Sequence, residues 1–307
     1  MEWWCRRRLV CWSTCSTETS VGGVDRVYGE SGDDVLVGGA GSDEVEGGGD
    51  SDVMLGDSGS IDYVAGVLLQ VLSVTPDVGA GDLLSAGEGN NVVVGGAGVD
   101  TITAGAGNDV IVGDSGVADF AGGVLVHIET TAADVGDRDV IEAGDGRNVV
   151  LGGYGGDSVT SGSGDDVVVG DNGSAGFDAV GGVSVLRAIT TSDPGVGGDD
   201  VIVVGEGTNV VLGGVGADRI TSGGGVDVVL GDNGNASFSG AGVLMLAQTS
   251  DVLVGGAYDD VVSSGAGNDV VVAGNGEDEV YAGAGNDVVL GDNGVVVQTE
   301  AGLLVNV

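Results

Sequence analysis

The sequence repeats one nine-residue phrase, with glycines gathered in its first four places, aspartate at the sixth and an aliphatic residue at the eighth. Residues 38–46 read GGAGSDEVE, 104–112 read AGAGNDVIV and 282–290 read AGAGNDVVL. Such in-phase repetition is typical of solenoids, in which successive copies stack instead of enlarging a single core. It therefore overrides the two-domain expectation that a length of 307 residues would give.

The copies fall into five blocks, with four copies in each of the first four blocks and five in the last. The blocks are residues 20–55, 77–112, 134–169, 195–230 and 246–290. Each block leads into a GDSG or GDNG signature, and the signatures recur about every 60 residues. Insertions separate the blocks at 56–76, 113–133, 170–194 and 231–245, and 295–307 is expected to be a truncated insertion. Residues 20–294 are predicted to form a single array.

The residue types at each place of the phrase predict its geometry. Six residues rich in Gly, Asn and Asp suit a turn, and the next three suit a very short strand. Strand side chains alternate between faces, so the aliphatic eighth place points to the interior. With one strand in nine residues, successive strands must lie on opposite sheets. The sequence therefore predicts an all-β fold: a flattened two-sheet β-solenoid with short β excursions inserted about every 60 residues.

The outward-facing places seven and nine differ between the two predicted sheets. They are apolar in the second and fourth copies of a block, as at Val92 and Val94, and mostly polar in the first and third, as at Glu44 and Glu46. One sheet thus has an apolar outer face that needs a cover. We expect the excursions to cover it, because each leaves from a strand of that sheet; a dimer or neighbouring-domain interface is the alternative.

The composition indicates a cationic partner. The formal net charge is −40, with 48 acidic residues and no lysine, so the chain would repel nucleic acid and anionic membranes. Aliphatic residues recur in phase with the acids, which argues against disorder. Ordered carboxylates and turn carbonyls suit a hard cation, and Ca²⁺ takes six to eight oxygen ligands of this kind. We therefore expect folding to be linked to calcium binding, with the metal-free chain largely unfolded near neutral pH.

These phrases resemble the calcium-binding nonapeptide repeats of the RTX (repeats-in-toxin, hemolysin-type) family. The resemblance implies a parallel β-roll whose six-residue turns hold multiple Ca²⁺ ions through aspartate side chains and turn carbonyls. The implied metal ligands are the sixth-place aspartates. They are Asp34, Asp43, Asp52, Asp82, Asp100, Asp109, Asp139, Asp157, Asp166, Asp200, Asp218, Asp227, Asp251, Asp260, Asp269, Asp278 and Asp287.

Two further groups are weaker metal candidates. Three copies carry asparagine at the sixth place, which keeps an oxygen but loses the charge, so one edge of the roll should bind ions less tightly. These are Asn91, Asn148 and Asn209. The acids of the signatures stand at the second place of an incomplete turn, and either close an ion site or belong to a plain turn. These are Asp57, Asp114, Asp171, Asp232 and Asp292.

The remaining signals do not make a catalytic site. Residues 1–19 have a different composition and are expected to be a disordered or artefactual leader; Cys5, Cys11 and Cys15 lack zinc-site spacing. His127, the one histidine, falls in an excursion and is expected on a strand surface. No stretch is long and apolar enough to span a membrane.

The sequence thus predicts a non-enzymatic, calcium-binding structural or adhesive segment of a large secreted or cell-surface protein, with further domains in the same polypeptide. The resemblance adds export by a one-step (type I) secretion machine. The alternative is the secretion and folding module of a protease, lipase or toxin. A third hypothesis, ice binding, comes from Thr101 and Thr103 on the polar face, but Glu142 and Arg219 interrupt any flat threonine array. Self-association through the apolar face is a further interpretation.

Overall fold

The computed structural model describes residues 13–16, 22–250 and 258–307, and this part of the chain contains β-strands and no helix. The strands, numbered in chain order, form three stacked layers and one minor sheet. The two roll layers alternate along the chain: β2 and β4 lie in one, whereas β3 and β5 lie in the other. Successive copies therefore fall on opposite sheets, and the predicted parallel β-roll is confirmed.

The first layer, the outer roll sheet, has ten described parallel strands. They are β2 (Arg26–Ser31), β4 (Glu44–Gly49), β8 (Leu83–Glu88), β10 (Thr101–Thr103), β14 (Val140–Gly144), β16 (Ser158–Ser161), β20 (Val201–Val203), β22 (Arg219–Thr221), β27 (Val261–Ser263) and β30 (Glu279–Tyr281). The second layer, the inner roll sheet, also has ten. They are β3 (Val35–Val37), β5 (Val53–Leu55), β9 (Val92–Val94), β11 (Val110–Val112), β15 (Val149–Leu151), β17 (Val167–Val169), β21 (Val210–Gly214), β24 (Val228–Asp232), β29 (Val270–Val272) and β32 (Val288–Leu290).

The third layer, the hairpin sheet, is antiparallel and contains the insertions. Its strands are β1 (Ser13–Ser16), β6 (Gly59–Val64), β7 (Val67–Ser73), β12 (Gly116–Ala121), β13 (Val124–Thr130), β18 (Gly173–Val180), β19 (Val183–Thr191), β25 (Gly234–Phe238), β26 (Leu244–Thr249), β33 (Val295–Gln298) and β34 (Leu304–Asn306). Three two-residue strands on the turns form the minor sheet. They are β23 (Gly224–Gly225), β28 (Ala266–Gly267) and β31 (Ala284–Gly285).

The core of the roll is built from the eighth-place side chains, as the alternation of strand side chains requires. Ile102 of the outer sheet and Ile111 of the inner sheet are both fully buried in it. Parallel pairing sets Ile102 directly between Leu84 and Ile141 of the neighbouring coils. Each eighth-place residue thus stacks on its equivalent, which turns the nine-residue period into a continuous apolar column.

A second core lies between the inner roll sheet and the hairpin sheet. Val110 and Val112 point outward from the roll and pack in one buried cluster with Phe120 and Ile128 of a hairpin. The predicted cover of the apolar face is therefore confirmed: the insertions fold back over the sheet from which they leave. At roughly 2 kcal/mol for each buried aliphatic side chain, this layer contributes to stability on the same scale as the roll core.

The first three hairpins share one two-residue turn. Gly122 and Gly123 have φ of 62° and 80°, the left-handed values that a type I′ turn requires at both central residues. The register shifts between Asp119 and Phe120, and the equivalent hairpins shift at the same point. Such a bulge re-aims the next side chain, which places Phe120 in the core beneath the hairpin.

Two boundaries differ from the sequence predictions. The fifth block, predicted to begin at 246, is corrected: residues 246–249 belong to β26, where Ala247 is buried and pairs with Ala236 and Val296. That stretch keeps the nine-residue spacing, with Asp251 in the sixth place, but lacks the turn glycines. In the leader, the backbone of Ser13–Ser16 pairs antiparallel with β6. The other leader residues, and Asp251, lie outside the described residues.

Candidate metal sites

The turns that join the two roll sheets form two edges with different sixth-place residues. The aspartate edge contains the turns that lead into the outer roll sheet. Its sixth-place residues are Asp25, Asp43, Asp82, Asp100, Asp139, Asp157, Asp200, Asp218, Asp260 and Asp278. The mixed edge contains the turns that lead into the inner roll sheet. Its sixth-place residues are Asp34, Asp52, Asn91, Asp109, Asn148, Asp166, Asn209, Asp227, Asp269 and Asp287.

A ladder of hydrogen bonds runs along each edge through these side chains. On the aspartate edge, the backbone N–H of Asp82 donates to Oδ1 of Asp100 at 2.7 Å, and the N–H of Asp100 donates to Oδ1 of Asp139 at 2.8 Å. The mixed edge repeats the pattern from Asp34 to Asp287. The sixth place thus holds each coil to the next, and one side-chain oxygen is used in doing so.

The second carboxylate oxygen, Oδ2, has a different environment. It is buried and accepts no hydrogen bond in most sixth-place aspartates. This holds for Asp43, Asp52, Asp82, Asp100, Asp109, Asp139, Asp157, Asp166, Asp200, Asp218, Asp227, Asp269 and Asp278. A buried carboxylate oxygen without a donor is costly in free energy. A row of such oxygens in successive coils is what a chain built around cations would contain.

The surroundings of these oxygens consist of backbone carbonyls. A Cβ built on Gly38 would lie 2.7 Å from Oδ2 of Asp43 and 2.5 Å from the carbonyl oxygen of Gly56. The carboxylate and the first-place carbonyl of the next coil therefore converge on a space that glycine leaves open. Because neither oxygen carries a hydrogen, a cation between them would satisfy both. These residues fit Ca²⁺, which takes carboxylate and carbonyl oxygens as ligands.

Electrostatics distinguish the two edges. On the aspartate edge, burial raises the pKa of Asp100 to about 10, with a further contribution from the carboxylate of Asp139. Burial likewise raises the pKa of Asp82 to about 8, and the nearby Asp57 adds to the effect. Burial also raises the pKa of Asp200 well above its ordinary value. Deprotonating this row without a counter-ion is therefore unfavourable at neutral pH.

On the mixed edge the shifts are smaller. Burial raises the pKa of Asp52 and of Asp109 to about 6. For Asp109, hydrogen bonding by the backbone and side chain of Asn91 opposes the effect of burial. Oδ2 of Asp109 is buried and accepts no hydrogen bond. The asparagines thus dilute the negative charge of this edge.

The signature acids belong to the aspartate edge. Gly56 and Asp57 start a turn whose N–H groups bond to the next coil; the hairpin then intervenes, and the turn resumes before Asp82. Asp57 is buried, and one of its oxygens accepts the N–H of Ala97 at 2.6 Å. Asp114, Asp171 and Asp232 are buried and bonded to the next coil in the same way. Asp292 is exposed.

A second ladder, at the fifth place, was not foreseen. The N–H of Asn108 donates to Oδ1 of Asn90 at 2.8 Å, and the N–H of Arg147 donates to Oδ1 of Asn108 at 2.9 Å. Asp165 accepts the N–H of Thr208 in the same manner. The recurrence of Asn and Asp at the fifth place was the available signal. These exposed side chains stabilise the turn backbone on its solvent side.

The number of side chains that could bind a metal at one point limits what they can contribute to the coordination of an ion. Within the described ranges, three or more His, Cys, Asp or Glu side chains do not gather at one point. An ion held here would therefore take much of its coordination from backbone carbonyls.

His127 lies on β13, partly exposed, with Nε2 3.3 Å from Oε2 of Glu129. It is a strand-surface residue, as expected.

In the described part of the chain, no helix has the length and apolarity to cross a bilayer. A search of curated proteins found no match to this chain. A family model does match, that of the RTX calcium-binding nonapeptide repeat (4 copies). The matched residues are 21–60, 85–117, 136–175, 194–229, 203–236, 248–280 and 263–295. These matches cover more than half of the sequence and include both edges of the roll. The chain therefore belongs to the family of RTX calcium-binding nonapeptide repeats.

Proposed function

We propose that this chain is a structural segment of a secreted or cell-surface protein that folds when its two edges bind extracellular Ca²⁺. The observation that carries the proposal is the row of buried Oδ2 atoms that accept no hydrogen bond, from Asp43 to Asp218 along the aspartate edge. Each faces a backbone carbonyl of the next coil. An extracellular setting supplies calcium at concentrations at which such oxygen sites fill.

The proposed ligands are the sixth-place aspartates of both edges. Each provides Oδ2, while its Oδ1 remains in the ladder. Asp43 illustrates the arrangement: Oδ1 accepts the N–H of Asp25 at 2.7 Å, and Oδ2 faces the carbonyl of Gly56. Calcium supplies the positive charge that these oxygens need when the carboxylates are ionised. Asp251 lies outside the described residues, and its assignment as a ligand stays a prediction from the sequence.

The signature acids are proposed as additional ligands at the interrupted turns. Asp57 and Asp114 each keep one buried oxygen that accepts no hydrogen bond, beside the sixth-place acid of the same turn. Two carboxylates at one turn would bind a divalent cation more tightly than one. These turns also hold the start of each hairpin, so filling them would join the hairpin layer to the roll.

Folding coupled to the ion follows from the charge. The net charge is −40, and a few exposed ion pairs such as Arg26–Glu44 at 2.6 Å offset little of it. Burying successive ionised aspartates at adjacent coils is unfavourable unless cations bind between them. The role that fits is that of a rigid, non-enzymatic spacer or adhesive stalk, assembled after export of an unfolded chain.

The test is a calcium titration of the full chain, monitored by circular dichroism, with Mg²⁺ as the control ion. We expect a cooperative gain of β-sheet signal with Ca²⁺ only. Asp100→Ala should bind fewer ions by calorimetry and need several-fold more calcium to fold, because a ligand and a ladder bond are lost together. The matched control Glu46→Ala, on the exposed face of the outer roll sheet, should change neither quantity.

Two results would contradict the proposal. One is a chain that shows the same β-sheet signal in chelator as in calcium. The other is an Asp100→Ala variant that binds the parent number of ions with the parent calcium requirement.

A further inference from the structure

We propose that the three sixth-place asparagines, Asn91, Asn148 and Asn209, are not calcium ligands but replacements for calcium. In their turns the side-chain amide NH₂ group stands in place of Oδ2 and donates its hydrogens to oxygens that face an ion at the aspartate turns. The inference rests on the proposed function, since it presumes ions at the aspartates. It replaces the interpretation of these residues as weak oxygen ligands.

The first step concerns the amide oxygen. Oδ1 of Asn91 accepts the backbone N–H of Asp52 at 2.9 Å. Oδ1 of Asn148 and Oδ1 of Asn209 accept the equivalent N–H groups at 3.0 Å each. These are the ladder bonds that Oδ1 of an aspartate makes elsewhere. The oxygen is thereby committed to the backbone, and the ladder N–H fixes which end of the amide faces it.

The second step concerns the amide nitrogen, which stands where an aspartate has Oδ2. Nδ2 of Asn91 donates to the carbonyls of Gly87 at 3.2 Å and Gly89 at 3.3 Å within its own turn. It also lies 3.4 Å from the carbonyl of Ala104, the first residue of the next coil on the same edge. Three carbonyl oxygens around one nitrogen form the kind of cage that would otherwise hold a cation.

The other two asparagines repeat the arrangement. Nδ2 of Asn148 donates to the carbonyl of Gly144 at 3.0 Å and to Oγ of Ser161, a first-place residue of the next coil, at 3.2 Å. Nδ2 of Asn209 donates to the carbonyl of Gly205 at 3.1 Å. In all three turns the second-place carbonyl is thus satisfied by the side chain of the same turn.

The turn of Asp52, which precedes that of Asn91 along the mixed edge, shows the contrast. Oδ2 of Asp52 is buried without a hydrogen bond. The open space above Gly47 is bordered both by that oxygen and by the carbonyl oxygen of Ala86, 2.6 Å from a Cβ built there. At Asp52 two acceptors face one another and need a cation. At Asn91 a donor faces the acceptors, and the turn is complete with its own atoms.

Asparagine and aspartate alternate at the sixth places along the middle of the mixed edge. Along the middle of the mixed edge the sixth places read Asp52, Asn91, Asp109, Asn148, Asp166, Asn209 and Asp227. Neighbouring coils are about 4.8 Å apart, so ionised carboxylates are separated by about twice that distance here. Over this stretch the mixed edge takes an ion at every second coil, whereas the aspartate edge takes one at every coil.

The experiment measures the number of bound ions in the full chain by equilibrium dialysis with radioactive calcium, together with thermal unfolding in calcium. Asn91→Asp should bind one more ion than the parent and need more calcium to fold, because it exchanges the donor for an acceptor. Asn91→Ala should bind the parent number of ions but unfold at a lower temperature. Asn148→Asp is the second variant, in case Asn91→Asp does not fold.

The outcomes separate the two proposals. Loss of one ion in Asn91→Ala would show that the asparagine is a ligand and overturn the inference. So would unchanged ion numbers in both Asn91→Asp and Asn148→Asp. A parent chain that binds no calcium at all would instead refute the proposed function itself.

Discussion

Along the aspartate edge, each described sixth-place residue from Asp43 to Asp278 is an acid, whereas along the mixed edge three asparagines alternate with aspartates. The backbone turn and the Oδ1 ladder are the same on both edges. The pKa values of the carboxyl groups differ between the edges: burial raises that of Asp100 to about 10 and that of Asp109 to about 6. The repeat therefore fixes the shape of a turn, whereas the sixth-place residues along an edge affect how far the pKa of its aspartates is raised.

The hairpins add to this difference, because each interrupts only a turn of the aspartate edge. The signature acids at these interruptions bring further buried carboxylates to the edge that already has the most. For Asp114, burial raises the pKa to about 10, and the nearby Asp139 contributes. Under the proposed function, the edge expected to depend most on calcium is also the one from which the hairpins leave.

The largest effect that separates the edges should appear when calcium is absent and the pH is lowered. Each buried aspartate has a folded-state pKa above its unfolded value near 4, so its stabilising contribution is complete below about pH 4 and is lost as the pH rises through the folded value. That loss occurs near pH 8 to 10 at Asp82 and Asp100, and near pH 6 at Asp52 and Asp109. In chelator, acidification should therefore restore β-sheet signal.

Circular dichroism and hydrogen exchange across the pH range would check this. On acidification, the aspartate-edge amides should gain protection at a higher pH than the mixed-edge amides. A metal-free chain that loses β-sheet signal between about pH 8 and about pH 5 would contradict the assignment of raised pKa values.

A medium effect is expected from placing an amide at matched positions on the two edges. Asp100→Asn and Asp109→Asn should each bind one ion fewer, and both should lower the calcium concentration needed to fold. The reduction should be larger for Asp100→Asn, because its neighbours Asp82 and Asp139 are acids, whereas Asp109 lies between two asparagines.

The measurement is the midpoint of the calcium titration, with Asp165→Asn as the control. Asp165 is an exposed fifth-place acid whose ladder acceptor survives the substitution. Equal midpoints for the Asp100 and Asp109 variants would remove the proposed difference between the edges.

The smallest effect concerns the fifth-place ladder of the mixed edge. Asn108→Ala removes the acceptor of the Arg147 N–H, an exposed bond, and should lower the free energy of unfolding by about 0.5–1 kcal/mol. The number of bound ions should stay the same. Chemical denaturation at saturating calcium measures the first quantity and dialysis the second, with Thr101→Ala as an exposed control. Loss of an ion would mean that the fifth place belongs to the metal site.

Much of the fold follows from spacing. The nine-residue period placed the strands on alternate sheets, and the eighth-place rule identified buried residues such as Ile102 and Ile111. The apolar pairs such as Val110 and Val112 identified the sheet that the hairpins cover. The fifth block was the failure: Leu246–Thr249 has the spacing of a repeat but pairs as a hairpin strand, because β26 fits between β25 and β33.

The candidate sites were foreseen as a set of residues but not as a set of atoms. The sixth-place acids could be named from the repeat, and so could the edge that contains the asparagines. The sequence could not predict which carboxylate oxygen accepts the ladder hydrogen bond. Nor could it predict that the side-chain nitrogen of Asn91 faces three backbone carbonyls. The sequence also could not predict that Asp57 belongs to the same turn as Asp82, because a whole hairpin separates the two residues.

By itself, the sequence determined the period, the interior, the two edges and the demand for divalent cations, because these depend on residue types at fixed spacing along a repeating backbone. The tertiary structure alone decided which polar atoms are satisfied. An amide or carboxylate in one turn takes its partners from coils 18 to 43 residues away, and insertions vary that distance. Hydrogen-bond direction at the sixth place is therefore a property of the stacked coils.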